Sequence, residues 1–154
     1  MKSWSAKLSL ILITLWVGAL WTIGFVVAPS LFHSLADNKL LAGNLAGDLF
    51  KWVAYIGIFS GFYLAIQRVS TAGTSALKTS VFWVILAMLA ITLLSHFGIS
   101  PVLASLKAEA LLSGASDVMQ SVFASRFKTW HGISSVAYLI QSLLGLVLVL
   151  KARD

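Results

Sequence analysis

The sequence predicts an all-α integral membrane protein: a single domain over residues 1–154, folded as a four-helix bundle with both termini on the same side of the membrane. Three observations support this prediction. Hydrophobic residues make up 59% of the chain and charged residues 10%, whereas soluble domains contain about 25% charged residues. Four long apolar runs are separated by segments that contain nearly all of the charge. These runs do not alternate apolar and polar residues, as the strands of a membrane barrel would.

The apolar runs are long enough to be transmembrane helices, which need about 20 apolar residues. We predict spans at approximately residues 8–28, 45–67, 80–103 and 129–150. The first run exceeds the apolar core of about 7–15 residues found in cleaved signal peptides. Pro29 also stands where a small-residue cleavage site would be expected. We therefore interpret the first run as a retained helix.

Four crossings divide the charged residues between two faces of the membrane. The face with both termini has six basic residues in short segments: Lys2, Lys7, Arg68, Lys78, Lys151 and Arg153. The other face has five basic residues and four of the five acids: Lys39, Lys51, Lys107, Arg126 and Lys128, with Asp37, Asp48, Glu109 and Asp117. Because the positive-inside bias is counted over short loops, we predict a bacterial inner-membrane protein with both termini cytoplasmic.

The two longer connections lie on the opposite face and contain leucines at loosely helical spacing. This spacing predicts amphipathic segments that lie at the interface or extend the spans. The connections also make the two halves of the chain weakly similar. Pro29-Ser30-Leu31 and Pro101-Val102-Leu103 each follow a span, and a Phe-Lys pair opens each following span. The pattern fits a parallel repeat of a helical hairpin, or chance, because prolines and aromatics are common at span ends.

Histidines are the candidate site residues. His33, His96 and His131 all lie toward the face opposite the termini. His96 lies inside an apolar span, where an ionisable residue is costly and usually faces a partner or a cavity. Spans three and four are antiparallel neighbours, so His96 and His131 are candidates for a shared Cu or Zn site, with His33 a weaker third ligand. The alternative is that His96 bonds to a helix carbonyl or hydroxyl and His131 is an interfacial polar residue.

A stripe of small residues runs along the second span, formed by Gly43, Gly47, Gly57 and Gly61. Such stripes let helices approach closely. The stripe predicts tight packing within the bundle, or against another membrane subunit or a second copy of the chain. The lipid bilayer is the other predicted partner. Nucleic acid is not, because no basic-aromatic array is present.

Several kinds of site are excluded by composition and spacing. The chain has no cysteine, which excludes disulfides and thiolate metal ligands. No carboxylate lies deep in a span, which argues against an ion-coupled transporter. No phosphate-binding glycine loop or catalytic triad motif appears. We assign no catalytic residue and lean toward a protein that is not an enzyme.

The chain resembles a bacterial family of four-helix membrane proteins of unknown function that is related to eukaryotic transmembrane protein 205. The elements that resemble it are Trp16-Val17-Gly18-x-x-Trp21, Phe25-Val26-Val27-Ala28-Pro29-x-Leu31-Phe32, Ser100-Pro101 and Phe127-x-x-Trp130-His131-Gly132-Ile133-Ser134. The resemblance covers nearly the whole chain. It implies four spans and no established reaction; for the eukaryotic relatives it implies a loose link to platinum-drug resistance.

More distantly, the layout is similar to the membrane domain of copper-resistance protein D and to the HemJ type of haem-dependent oxidase. Those families use histidines in their helices, and the matching positions here are His96 and His131. This chain has Trp16 and Trp21, and no histidine, early in its first span. Three functions follow as hypotheses: a metal-handling or metal-tolerance protein, a non-enzymatic packing subunit of a larger membrane complex, and a haem-dependent oxidoreductase.

Overall fold

The computed structural model describes the backbone of residues 2–152 and the side chains of residues 4–152. Within that part of the chain the regular elements are helices, and no strand is present, which confirms the predicted fold class. The elements are α1 (Lys2–Thr22), a first π segment (Ile23–Val27), α2 (Ala28–Ser34), α3 (Lys39–Ala72), α4 (Ser80–Leu93), a second π segment (Leu94–Ile99), α5 (Ser100–Leu112) and α6 (Ala124–Lys151). Short 3₁₀ turns occupy Gly73–Lys78 and Val118–Gln120.

Four helical stretches are long and apolar enough to cross a membrane: Trp4–Ser34, Lys39–Lys78, Ser80–Leu112 and Ala124–Lys151. Each is longer than the corresponding predicted span. A helix of this length reaches about 50 Å, against a hydrocarbon layer of about 30 Å. The helical segments expected in the long connections therefore extend the spans, as α2 and α5 do for the first and third.

The bundle has a narrow interior and an apolar outer surface. Its core is built around Trp16, Leu20, Ile85, Met88 and Leu148, which are almost completely buried and come from α1, α4 and α6. Many large apolar side chains instead face outward, and a lipid environment accommodates them as water would not. The exposed apolar surface follows directly from a sequence that has too few polar residues to cover it.

Prolines fix the position of both π segments. Pro29 and Pro101 each stand two residues after a π segment ends, in the first turn of α2 and α5. The amide of Ala28 donates to the carbonyl of Ile23, and that of Ser100 to the carbonyl of Ser95. Each hydrogen bond spans five residues, as in a π-helix, instead of the four residues of an α-helix. Since proline lacks an amide hydrogen and its ring displaces the carbonyl one turn earlier, it disturbs the helix there. The two halves of the chain share this feature.

Both chain ends approach the same end of the bundle. Ala6 of α1 and Ala152, which follows α6, line one pocket. We call this the termini end, and the end beyond Pro29 and Pro101 the proline end. The side chain of Lys2 and the residues Arg153 and Asp154, which the sequence assigns to the termini end, lie outside the described residues.

Candidate functional site

The second π segment positions His96. A π turn holds one residue more than an α turn, and such insertions in α-helices are frequent at functional sites. His96 is half-buried, and neither of its ring nitrogens has a hydrogen-bond partner in the described part of the chain. An unsatisfied imidazole within a membrane span is a candidate functional group.

The surroundings of His96 are aromatic, with Tyr55 and Trp52 from α3 and Phe97 from the same π segment. The ring of Tyr55 meets the imidazole edge-on, with centroids 5.2 Å apart and planes at 68°. Phe97 lies 4.7 Å away, and Trp52 contacts Tyr55 in turn at 5.8 Å. Trp52 and Phe97 are each about two-thirds exposed. His96 therefore lies at the lipid-facing edge of the α3–α4 interface and not in the bundle centre.

His131 lies elsewhere. It is exposed and stacks on Phe127, one turn earlier on α6, with centroids 5.9 Å apart and planes at 9°. Gln141 of α6 donates from Nε2 to the Thr92 hydroxyl of α4 at 2.6 Å, which fixes the register of these antiparallel helices. His96 then lies level with residue 137, about 9 Å along the axis from His131. Side chains also lean toward the N-terminus of their own helix, which widens the separation of the two rings.

The structure therefore does not bring His96 and His131 into contact. His33 is exposed in the last turn of α2, and no ring contact joins it to either of the others. Within residues 2–152 no group of three or more His, Asp or Glu side chains is arranged to hold a metal ion. The metal site at these histidines stays a prediction.

A buried polar network connects three helices at the centre of the bundle. Gln141 and Thr92 are both at least 95% buried, and the Thr92 hydroxyl also donates to the carbonyl of Met88 at 2.8 Å. The indole of Trp21 donates to the carbonyl of Ser142 at 3.3 Å. Gln141 thus forms a hydrogen bond between α6 and α4 in the middle of an apolar span. The sequence indicates its partner Thr92 only weakly, as one polar residue in an apolar run.

Tyr138 makes the most specific contact between α6 and α1. Its hydroxyl donates to the carbonyl of Leu20 at 2.6 Å and also interacts with the backbone of Gly24. Leu20 and Gly24 are four residues apart and would normally bond to each other in a helix. The first π segment begins at Ile23, three residues after the carbonyl that accepts this bond. A Cβ at residue 24 would collide with Tyr138, so only glycine fits here.

Two glycines of the small-residue stripe serve packing within the chain. The fully buried indole of Trp16 lies across them: a Cβ at Gly57 would stand 2.5 Å from its Nε1, and one at Gly61 3.3 Å from its ring. The carbonyl of Gly43 accepts from Lys107 Nζ at 3.3 Å, while a Cβ at Gly47 would meet nothing within 4 Å. Assembly through the stripe stays a prediction.

Fold and internal contacts together define a multi-pass helical membrane protein. Residues 11–111 match the family model described as Domain of unknown function (DUF4149), and the chain belongs to this family. A search of curated proteins found no match. A search of solved structures found none either. The match includes His33, His96 and the glycine stripe, whereas His131 lies outside it. The relation to transmembrane protein 205, copper-resistance protein D and HemJ stays a prediction.

Proposed function

We propose that the protein handles a transition-metal ion in the bacterial inner membrane, with His96 as the anchoring ligand. The observation that supports this is the half-buried imidazole of His96, held within a span by a π segment and free of hydrogen bonds in the described part of the chain. Neutral imidazole suits Cu and Zn. One imidazole does not fill a coordination sphere, and His131 and, more weakly, His33 are the candidate further ligands near the same end of the bundle.

Metal analysis of protein purified from cells supplied with Cu or Zn tests this proposal. We expect bound metal in the wild type and its loss in His96→Ala. Ser95→Ala, a neighbour in the same π segment, is the matched control and should keep the metal. His131→Ala and His33→Ala show which of the two completes the site. Equal metal content in the wild type and in His96→Ala would refute the proposal.

A groove between α1 and α3 favours a second candidate function, that of a packing subunit in a larger membrane complex. This groove of about 400 Å³ is bordered by Thr14, Gly18, Thr22 and Trp52. A Cβ at Gly18 would meet nothing within 4 Å. Small residues that face outward allow another helix to approach. Purification in mild detergent should then recover partner subunits, and Gly18→Leu should lose them; a wild-type preparation free of other subunits would count against this function.

The purified protein also tests the haem hypothesis. An absorption spectrum with a Soret band would favour the haem hypothesis, and a spectrum without one removes it.

The proposed orientation follows from the short basic segments at the termini end. A reporter active only in the cytoplasm, fused after Asp154, should be active; a reporter active only in the periplasm should not.

A further inference from the structure

A pocket opens at the termini end of the bundle, far from His96. It has a volume of about 300 Å³ and is bordered by α1, α3, α4 and the residue after α6. This volume is at the lower end of the range for small-molecule sites. Its walls are of two kinds: apolar side chains such as Ile13 and Leu64, and the polar residues Ser9, Gln67, Arg68 and Thr71.

Arg68 is the one charged residue on the described wall of this pocket. Its side chain is half-buried, and no hydrogen bond or ion pair joins it to any other described residue. Four of the five acids in the chain, Asp37, Asp48, Glu109 and Asp117, lie toward the proline end, and Asp154 lies outside the described residues. Among the residues that the structure describes, the pocket wall thus presents a positive charge and no acidic side chain.

The polar side chains on the pocket wall differ in whether their donors are already bonded within the protein. The Thr71 hydroxyl already donates to the carbonyls of Gln67 and Arg68, at 2.8 and 3.3 Å. The Ser9 hydroxyl donates to the carbonyl of Ser5 at 2.9 Å. The guanidinium of Arg68 and the amide of Gln67 have no such partner in the described chain. A planar guanidinium fork matches the oxygens of a phosphate group and binds it by two parallel hydrogen bonds.

We propose that this pocket binds a phosphate group through Arg68, with Gln67 as a second donor. The headgroup of an anionic phospholipid is the source that the position favours, because the pocket lies at a membrane face and has apolar walls for the start of an acyl chain. Basic pockets between transmembrane helices bind such headgroups. Lys7, Lys78 and Lys151 lie at the same end and raise the positive potential around it.

Titration of detergent-purified protein, followed by native mass spectrometry, tests the site. The probes are phosphatidylglycerol, neutral phosphatidylcholine and inorganic phosphate. We expect Arg68→Gln to weaken phosphatidylglycerol binding about tenfold, since a charge-assisted pair is lost. Arg68→Lys should be intermediate because ammonium is a point charge. Lys78→Gln removes a charge at the same end but outside the pocket, and should change binding less than twofold.

The source of the phosphate is distinguished within the same experiment. A preference for phosphatidylglycerol over phosphatidylcholine that Arg68→Gln removes supports a lipid headgroup. Saturable binding of inorganic phosphate that Arg68→Gln removes supports a free phosphate compound. Gln67→Met keeps the charge and removes one donor, so it provides a milder variant should Arg68→Gln fold poorly; it should weaken binding two- to threefold. Unchanged binding of phosphatidylglycerol and of inorganic phosphate in Arg68→Gln, or an equal loss in Lys78→Gln, would overturn the proposal.

Discussion

The hydroxyl of Tyr138 on α6 donates to the backbone carbonyl of Leu20 on α1, 2.6 Å away, where α1 passes into the first π segment. This hydrogen bond joins α6 to α1. We expect Tyr138→Phe to lower the free energy of unfolding by about 0.5–1.5 kcal/mol, measured by denaturant titration in detergent. Tyr55→Phe, at a more exposed tyrosine, is the control and should have a smaller effect; equal losses would contradict the assignment.

Gly57 is required by the indole of Trp16. Gly57→Ala would place a methyl group 2.5 Å from Nε1 of a ring that is fully buried, so we expect a loss of about 1–3 kcal/mol. Gly18→Ala meets nothing within 4 Å and should leave stability unchanged or slightly raised. Trp16→Phe removes the part of the ring that carries Nε1, so it should partly restore the stability that Gly57→Ala loses. The absence of any rescue would show that the clash lies elsewhere.

The Gln141–Thr92 bond should give a measurable coupling energy. In a double-mutant cycle of Gln141→Met and Thr92→Val, we expect a coupling energy of about 0.6 kcal/mol, the average between membrane helices, and of at most about 1.7 kcal/mol. The readout is the unfolding free energy of the four proteins. Ser135→Ala with Thr92→Val is the control pair, because Ser135 bonds to its own helix at the carbonyl of His131. Coupling no larger than in this control would mean that the two helices do not meet at this register.

Cysteine crosslinking distinguishes the two possible neighbours of His96, and the chain offers a background without native cysteine. Tyr55→Cys with His96→Cys should crosslink readily under mild oxidation, because the two rings are in contact across α3 and α4. His96→Cys with His131→Cys should not, because about 9 Å of helix rise separates them. The opposite result would show that His96 and His131 approach more closely than this register allows and would favour His131 as the further metal ligand.

Composition and periodicity predicted the number and type of helices, since four apolar runs allow little else in a bilayer. They underestimated helix length because polar residues such as Asn44 and Lys107 do not end a helix that projects beyond the lipid. The contact of His96 with Tyr55 could have been predicted from the sequence. Tyr55 and His96 are nearly equidistant from the turn at Gly73–Lys78, so the hairpin register alone places them side by side.

Three other features of the structure could not be predicted from the sequence. Pro29 and Pro101 marked where helices would be disturbed, but nothing in their spacing distinguished a π segment from a kink or an end. Which of the two antiparallel neighbours His96 would face depends on rotation about the helix axis, and that rotation is changed by the π insertion itself. The sequence also does not show what packs on Gly57 and Gly61, because an indole from α1 and a helix from another subunit need the same small residues.

The two prolines have a consequence for hydration. Neither Pro29 nor Pro101 supplies an amide hydrogen, so the carbonyl four residues earlier in each hairpin cannot bond to it. In hydrocarbon an unpaired carbonyl costs several kcal/mol, and a local π turn lets an amide one residue further along the chain take the place of the missing donor. The two π segments are therefore expected to keep water out of the bilayer at the depth of both prolines, where a simple kink would draw it in.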